Sequence, residues 1–204
     1  MSEVYLYLMA TPCAACGQGP LTGPDRLDQV RRADPALIVR LDATCAVCNR
    51  AWPMRFRLPH GPGVDGDSGI AAVNLTDEPS RIIDVAQWLM LFRIIVDRAG
   101  RESDKAVSRR LGLEAAQCLE EALKFYDADN DLPPSSALFS EEARRRLADH
   151  PQDFSRQRLI EMRAKLPTLS AMRARALADA TAAAAASPSR KRPAWWKRLI
   201  RGQG

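Results

Sequence analysis

Five cysteines occur in the 204 residues, and four of them share one spacing: Cys13 and Cys16 in "TPCAACGQG", then Cys45 and Cys48 in "TCAVCN", with twenty-eight residues between the pairs. Two cysteines three positions apart on a tight turn present both sulfurs from one side. Two such turns facing each other place four thiolates at the corners of a tetrahedron, the geometry that Zn²⁺ accepts. Gly17 follows the first pair and Asn49 the second, residue types that tolerate the left-handed backbone such a turn requires. With sulfur at every corner no position stays open for water, so the expected ion is a single structural Zn²⁺ rather than a catalytic one.

The same sulfurs also suit iron, as in a rubredoxin-like electron carrier, and a redox pair or disulfides complete the alternatives. Disulfides fit poorly with a cytosolic chain. A thioredoxin-type pair needs its C-x-x-C at a helix N-terminus, whereas the flanks here read as strands. On "CAACG" and "CAVCN", each flanked by a strand, residues 1–58 resemble the zinc-ribbon group. That resemblance implies metal binding at Cys13, Cys16, Cys45 and Cys48. It leaves activity open, since ribbons serve as nucleic-acid binders, protein-docking modules and fold staples.

Other patterns carry less chemistry. Cys118, on the apolar side of "AAQCLEEAL", reads as a small core residue. Gly61, Gly63 and Gly66 spell G-x-G-x-x-G, but no helix begins directly after them to hold a pyrophosphate. Asp127, Asp129 and Asp131 match the first ligand positions of an EF-hand loop, yet Leu132 stands where Gly is needed and Leu138 where a bidentate Glu should close the site. An acidic turn able to cap a helix is the simpler expectation. "AVSRRLGLEAAQCLEEAL" has a helix-turn-helix rhythm, but Glu114, Glu120 and Glu121 on the second helix repel phosphates. His60 and His150 sit in polar punctuation, and no nucleophile elbow, phosphate loop or histidine cluster is present.

The elements that must position the cysteines follow from pattern. "VYLYL" (Val4 to Leu8), "LIVRL" (Leu37 to Leu41) and "WPMRFRL" (Trp52 to Leu58) are expected strands, and "PDRLDQVRRA" one or two helical turns opened by Pro24. Residues 59–77 begin with the Gly- and Pro-rich "PHGPGVDGDSG", a boundary, after which the chain turns helical. A helix is expected from Pro79 to before Gly100, with Ile82, Val85, Leu89, Phe92 and Val96 on one stripe, Ile83, Ala86, Met90 and Ile94 widening it, and a narrow polar strip through Arg81, Asp84 and Gln87. So much apolar surface implies burial on nearly all sides, in a helical core or across a homodimer interface through residues 79–98. A short and a longer helix separated near Gly112 come next, then "SEEARRRLADH", then a helix opened by Pro151, then one after Pro167 running into the alanine-rich spacer 169–186.

The chain is 46 % hydrophobic and 27 % charged, as in a folded soluble protein. Its +5 formal charge belongs to residues 187–204, where Arg190, Lys191, Arg192, Lys197, Arg198 and Arg201 meet no acid; without them 24 basic residues face 25 acidic ones. A helix over 194–201 would set Trp195, Trp196, Leu199 and Ile200 on one side and Lys197, Arg198 and Arg201 on the other. Paired indoles among cations suit an anionic membrane surface, at about 1 kcal/mol per basic residue. A protein groove, the protein's own body and single-stranded nucleic acid are the other places such a tail can bind.

The start of the chain carries an acid where a secretory signal needs positive charge. The run from Val85 to Val96 is too short to span a bilayer and is broken by Gln87 and Arg93. A cytoplasmic location, peripheral at the inner face of a membrane, is the expectation. The whole reads as α+β: a zinc ribbon (1–58), a linker (59–77), a helical domain (78–168), a spacer (169–186) and a basic amphipathic tail (187–204). The corresponding role is a non-catalytic adaptor docking a protein partner, with a nucleic-acid-associated regulator or an enzyme in the helical half as alternatives.

Overall fold

The computed structural model describes residues 3–23, 30–33, 36–59 and 77–168. Residues 1–167 form one compact unit, and 168–204 are a second. The first unit begins with helix α1 (Glu3–Ala10), followed by strands β1 (Leu21–Thr22), β2 (Val30–Ala33), β3 (Ala36–Cys45) and β4 (Ala51–Pro59). β3 is the spine of an antiparallel sheet. β4 pairs along its length from Ala36↔Pro59 to Thr44↔Ala51, while β1 and β2 share its other edge, β1 at Cys45 and β2 at Ala36. The helical part is α2 (Val85–Arg101), α3 (Lys105–Leu123), α4 (Glu141–Asp149) and α5 (Arg156–Ala164), with 3₁₀ turns at Ser135–Ala137 and Pro151–Phe154. A small antiparallel sheet followed by a helical region is therefore the architecture.

Val4–Leu8 is not a strand but the middle of α1. Its alternating burial, with Val4, Leu6, Leu8 and Ala10 inside, comes from two i,i+4 stripes on opposite sides of one helix. Val4 and Leu8 join the core beneath the sheet, and Leu6 and Ala10 join the core of the helical region. Residues at i and i+4 share a helix face, so a helix buried on two sides mimics the period of a strand. "VRRA", expected as helix, is β2, because pairing with β3 satisfies its backbone.

The first long helix starts at Val85, not Pro79, and Gly100 lies within it. Asp84 stops the helix from beginning earlier. Its carboxylate accepts the Gln87 amide at 2.8 Å while the Gln87 side chain accepts the Asp84 amide at 2.9 Å, a reciprocal capping box. Asp84 is buried, and its other oxygen accepts the Phe139 amide at 2.9 Å, so the residue expected on a polar strip fastens two loops inside the fold. The helix is not enclosed all round. Val85, Ala86, Trp88, Leu89, Leu91 and Ile95 are buried, whereas Ile94 and Val96 are exposed.

The two helices expected on either side of Gly112 are one continuous α3. Glycine in a helix interior costs about 1 kcal/mol relative to alanine, but a Cβ here would sit 3.2 Å from the Pro167 ring, so the missing methyl allows the close approach of the chain after α5. Pro151 opens a 3₁₀ turn, and α5 starts only after Ser155, whose hydroxyl accepts the Arg158 amide. The helix predicted over "SEEARRRLADH" is α4, with Ser140 accepting the Ala143 amide. Cys118 is buried in the core, where loss of solvation, then Glu114 and Glu121, push its thiol up to about 12. No helix among the described residues is long and apolar enough to cross a membrane.

Candidate metal centre

The two cysteine turns repeat one hydrogen-bond pattern. In the first, after α1, the Gly17 amide donates to the Cys13 carbonyl at 2.8 Å, the Cys13 amide donates to Gln18 O, and the Ala15 amide points at Cys13 Sγ at 3.4 Å. In the second, joining β3 to β4, the Asn49 amide donates to the Cys45 carbonyl at 2.9 Å, the Cys45 amide to Arg50 O at 3.0 Å, and the Val47 amide points at Cys45 Sγ at 3.4 Å. Gly17 (φ 67°) and Asn49 (φ 56°) hold equivalent left-handed positions, where glycine is unstrained and asparagine tolerated. β1 locks the turns together, with Leu21 opposite Cys45 and the Ala46 amide donating to Pro20 O at 3.0 Å.

The result is a cluster of four cysteines whose sulfurs all lie within 4.8 Å of one another. Cys13 and Cys48 are 3.7 Å apart across the turns, as are Cys16 and Cys45. A tetrahedron with metal–sulfur bonds of about 2.3 Å has sulfur–sulfur edges of about 3.8 Å, so these distances already match a four-sulfur cage. They are far from the roughly 2.05 Å of a disulfide, and all four thiols are free. Cys13 and Cys45 are buried, whereas Cys16 and Cys48 lie at the surface.

The surroundings push the thiols apart. The Ala15 amide, opposed by burial and helped by the Cys16 amide, Cys48 and Trp52, brings Cys13 down to about 6. The Cys48 and Val47 amides lower Cys45 in the same way. At Cys16 the Gln18 amide lowers the thiol, but burial and the sulfurs of Cys48, Cys45 and Cys13 outweigh it and push the group up to about 12. Four adjacent thiolates repel unless a cation lies between them. The arrangement is thus capable of coordinating a metal and fits the zinc-ribbon-like pattern of the sequence.

The other sequence candidates are not brought to this cluster. Asp131 caps α5: its carboxylate accepts the Gln157 amide at 2.9 Å, which holds it below the usual carboxylate range, and its carbonyl accepts the Arg156 amide at 2.7 Å. Among the described residues the cysteines are the one grouping of three or more metal-ligating side chains. The helix-turn-helix reading fails because α3 has no turn. His150 ends α4, its amide donating to Arg146 O at 3.0 Å. His60, Gly61, Gly63 and Gly66 lie outside the described residues, as do the tail residues Arg190, Lys191, Arg192, Trp195, Trp196, Lys197, Arg198, Leu199, Ile200 and Arg201.

Two features escaped the sequence reading. One is a shallow cleft of about 710 Å³ lined by Pro79, Arg81, Lys124, Phe125, Pro134 and Phe139. Its wall is an edge-to-face pair of Phe125 and Phe139, with ring centroids 6.3 Å apart and Phe139 45 % exposed. Nothing local in the sequence announces it, because α2 and α3 bring distant segments together. The other is the outer face of the sheet, where Arg40, Arg55 and Arg57 are exposed. Their period-2 placement in two expected strands was the available signal. Compared with protein-family models, curated proteins and solved structures, the chain matches none of them.

Proposed function

We propose that the N-terminal part of the chain is a zinc-ribbon module holding one structural Zn²⁺ through Cys13, Cys16, Cys45 and Cys48, and that the protein is a non-catalytic adaptor built on it. The observation that carries this reading is the pair of 3.7 Å sulfur–sulfur distances, close to a tetrahedral edge, between two turns of the same design. Four sulfurs complete the coordination shell. The ion then contributes folding energy and fixes the hairpin, with no position for substrate. Zinc is favoured over iron because a closed site in a small sheet needs a staple, and Zn²⁺ supplies one without redox chemistry.

The docking half of the reading draws on the Phe125–Phe139 wall, apolar surface of the kind partners cover. The membrane half draws on the sequence of the tail alone: indoles beside cations, acting at the cytoplasmic face. Metal analysis of the purified chain is the primary test. One zinc per chain, with sheet structure lost to a strong chelator, is the expected result; a metal-free chain with an unchanged fold refutes the zinc module. For the tail, the intact chain should sediment with anionic vesicles and a chain ending at Ala186 should not. Equal sedimentation of both removes the membrane role.

A further inference from the structure

The sheet buries one face and leaves the other in water. Leu41, Ala43 and Cys45 of β3 and Phe56 of β4 point into the core. At the alternate positions Arg40, Asp42, Pro53, Arg55 and Arg57 are exposed and Ile38 and Thr44 half-buried, and the register sets Arg40 directly opposite Arg55, with Arg57 two residues further along β4 and opposite Ile38. Directly paired residues in an antiparallel ladder have Cα atoms about 4.5–5.5 Å apart, and like charges in that position destabilise the sheet. None of the three guanidinium groups has an ion-pair partner among the described residues. One acid, Asp42, shares the face, opposite Pro53. Among the described side chains of β3 and β4 this face thus carries three arginines against one acid, although the chain without its tail is nearly neutral.

We infer that the outer face of β3 and β4 binds the phosphate backbone of double-stranded nucleic acid through Arg40, Arg55 and Arg57. Charge complementarity selects a polyanion, and the side-chain type narrows it, because the planar guanidinium fork engages phosphate oxygens bidentately. Strand rise separates Arg55 from Arg57 by roughly 6.6 Å, about the axial rise of two base pairs of a duplex. Membrane insertion is disfavoured because, among the described residues, none of the large exposed apolar side chains, Val47, Ile94, Val96, Leu132, Phe139 and Ile160, lies on this face. Single-strand binding through stacking is disfavoured likewise, since Trp52 and Phe56 belong to the opposite face, Trp52 half-buried and Phe56 buried.

A four-thiolate zinc centre would add local negative charge. It would not neutralise this patch, because Arg40 is five residues up β3 from Cys45, roughly 17 Å at strand rise, beyond the Debye length of about 8 Å at physiological salt. The contacts involve no base edges, so the binding is sequence-independent. This surface is separate from the adaptor reading and needs neither the tail nor the Phe125–Phe139 cleft.

The test uses the full chain and its R40Q/R55Q/R57Q variant, with fluorescence anisotropy on a labelled duplex of arbitrary sequence over a salt series. Zinc content is measured in parallel, so that loss of the ribbon is distinguished from loss of the face. Expected is a drop in affinity on the order of a hundredfold near 0.1 M salt, and a salt slope shallower by about 2.7, three contacts at about 0.9 each. The R40K/R55K/R57K variant, which keeps the charges, should retain most of the slope. The inference is overturned if the glutamine variant binds duplex as the parent does with its zinc intact, or if the parent shows no duplex binding at low salt. It is equally overturned if anionic vesicles or polyglutamate bind the parent as tightly as duplex and lose the same affinity in the variant. Those results would assign the face to a lipid surface or an acidic protein.

Discussion

The sheet and the helical region solve the problem of staying folded in different ways. The buried cluster of the sheet region among the described residues is Val4, Leu8, Cys13, Leu21, Leu41, Ala43, Cys45 and Phe56, two of them cysteines of the sulfur cluster. Small sheet modules of this kind commonly rely on a metal or disulfides for part of their stability. The helical cluster is much larger, with Trp88, Phe154, Ile83, Leu91, Leu119 and Leu159 at its centre. Its loops are fastened by side-chain caps: Asp84 to Gln87 and Phe139, Asp131 to Gln157, and Ser140 to Ala143. On the proposed zinc site, coordination chemistry carries one half of the unit and apolar packing the other.

Replacing one sulfur should have the largest effect, and it should fall on the sheet. Cys45→Ser removes a corner of the cage, and the apparent zinc-binding free energy available to such sites is about 10–16 kcal/mol near neutral pH. Hydrogen exchange should show β3 and β4 amides losing far more protection than those of α2 and α3; retained protection in β3 would mean that the sheet folds without its metal.

The reverse change, Phe154→Ala, removes a fully buried ring from the helical core. A cost of about 3–5 kcal/mol in denaturant unfolding is expected, with zinc stoichiometry unchanged. A cost below about 1 kcal/mol would show that the site collapses around the cavity.

Asp84→Ala is the smallest of the three. It strips the cap from α2 and leaves the Phe139 amide without its acceptor. About 1–3 kcal/mol should be lost, together with exchange protection at Phe139. An unchanged Phe139 amide would mean that the loop is held by packing alone.

These two kinds of stabilisation also explain what could be read in advance. Cys13, Cys16, Cys45 and Cys48 were legible because three-residue spacing fixes a turn, and the turn fixes where the sulfurs point. β3 was legible from the β-branched residues of "LIVRL", β4 from the aromatic residues of "WPMRFRL", and α4 from "SEEARRRLADH". α1 was misread because the sequence records which residues are apolar without saying how many surfaces they face. Asp84 was misplaced for a related reason: a carboxylate that accepts two amides can be buried, whereas composition alone puts it in water. α3 was split at Gly112 because the need for a bare backbone came from Pro167, fifty-five residues away. In each case a partner distant in sequence decided the outcome.

The eight residues of α1 form a party wall between two rooms. Val4 and Leu8 line one, Leu6 and Ala10 the other, and the Gln87 side chain reaches across to the Ala10 carbonyl at 3.4 Å. Stripping the ion should therefore be felt beyond the sheet, since a wall with no furniture against one side loosens its grip on the other. Unfolding of the helical region would then register whether the ion is bound.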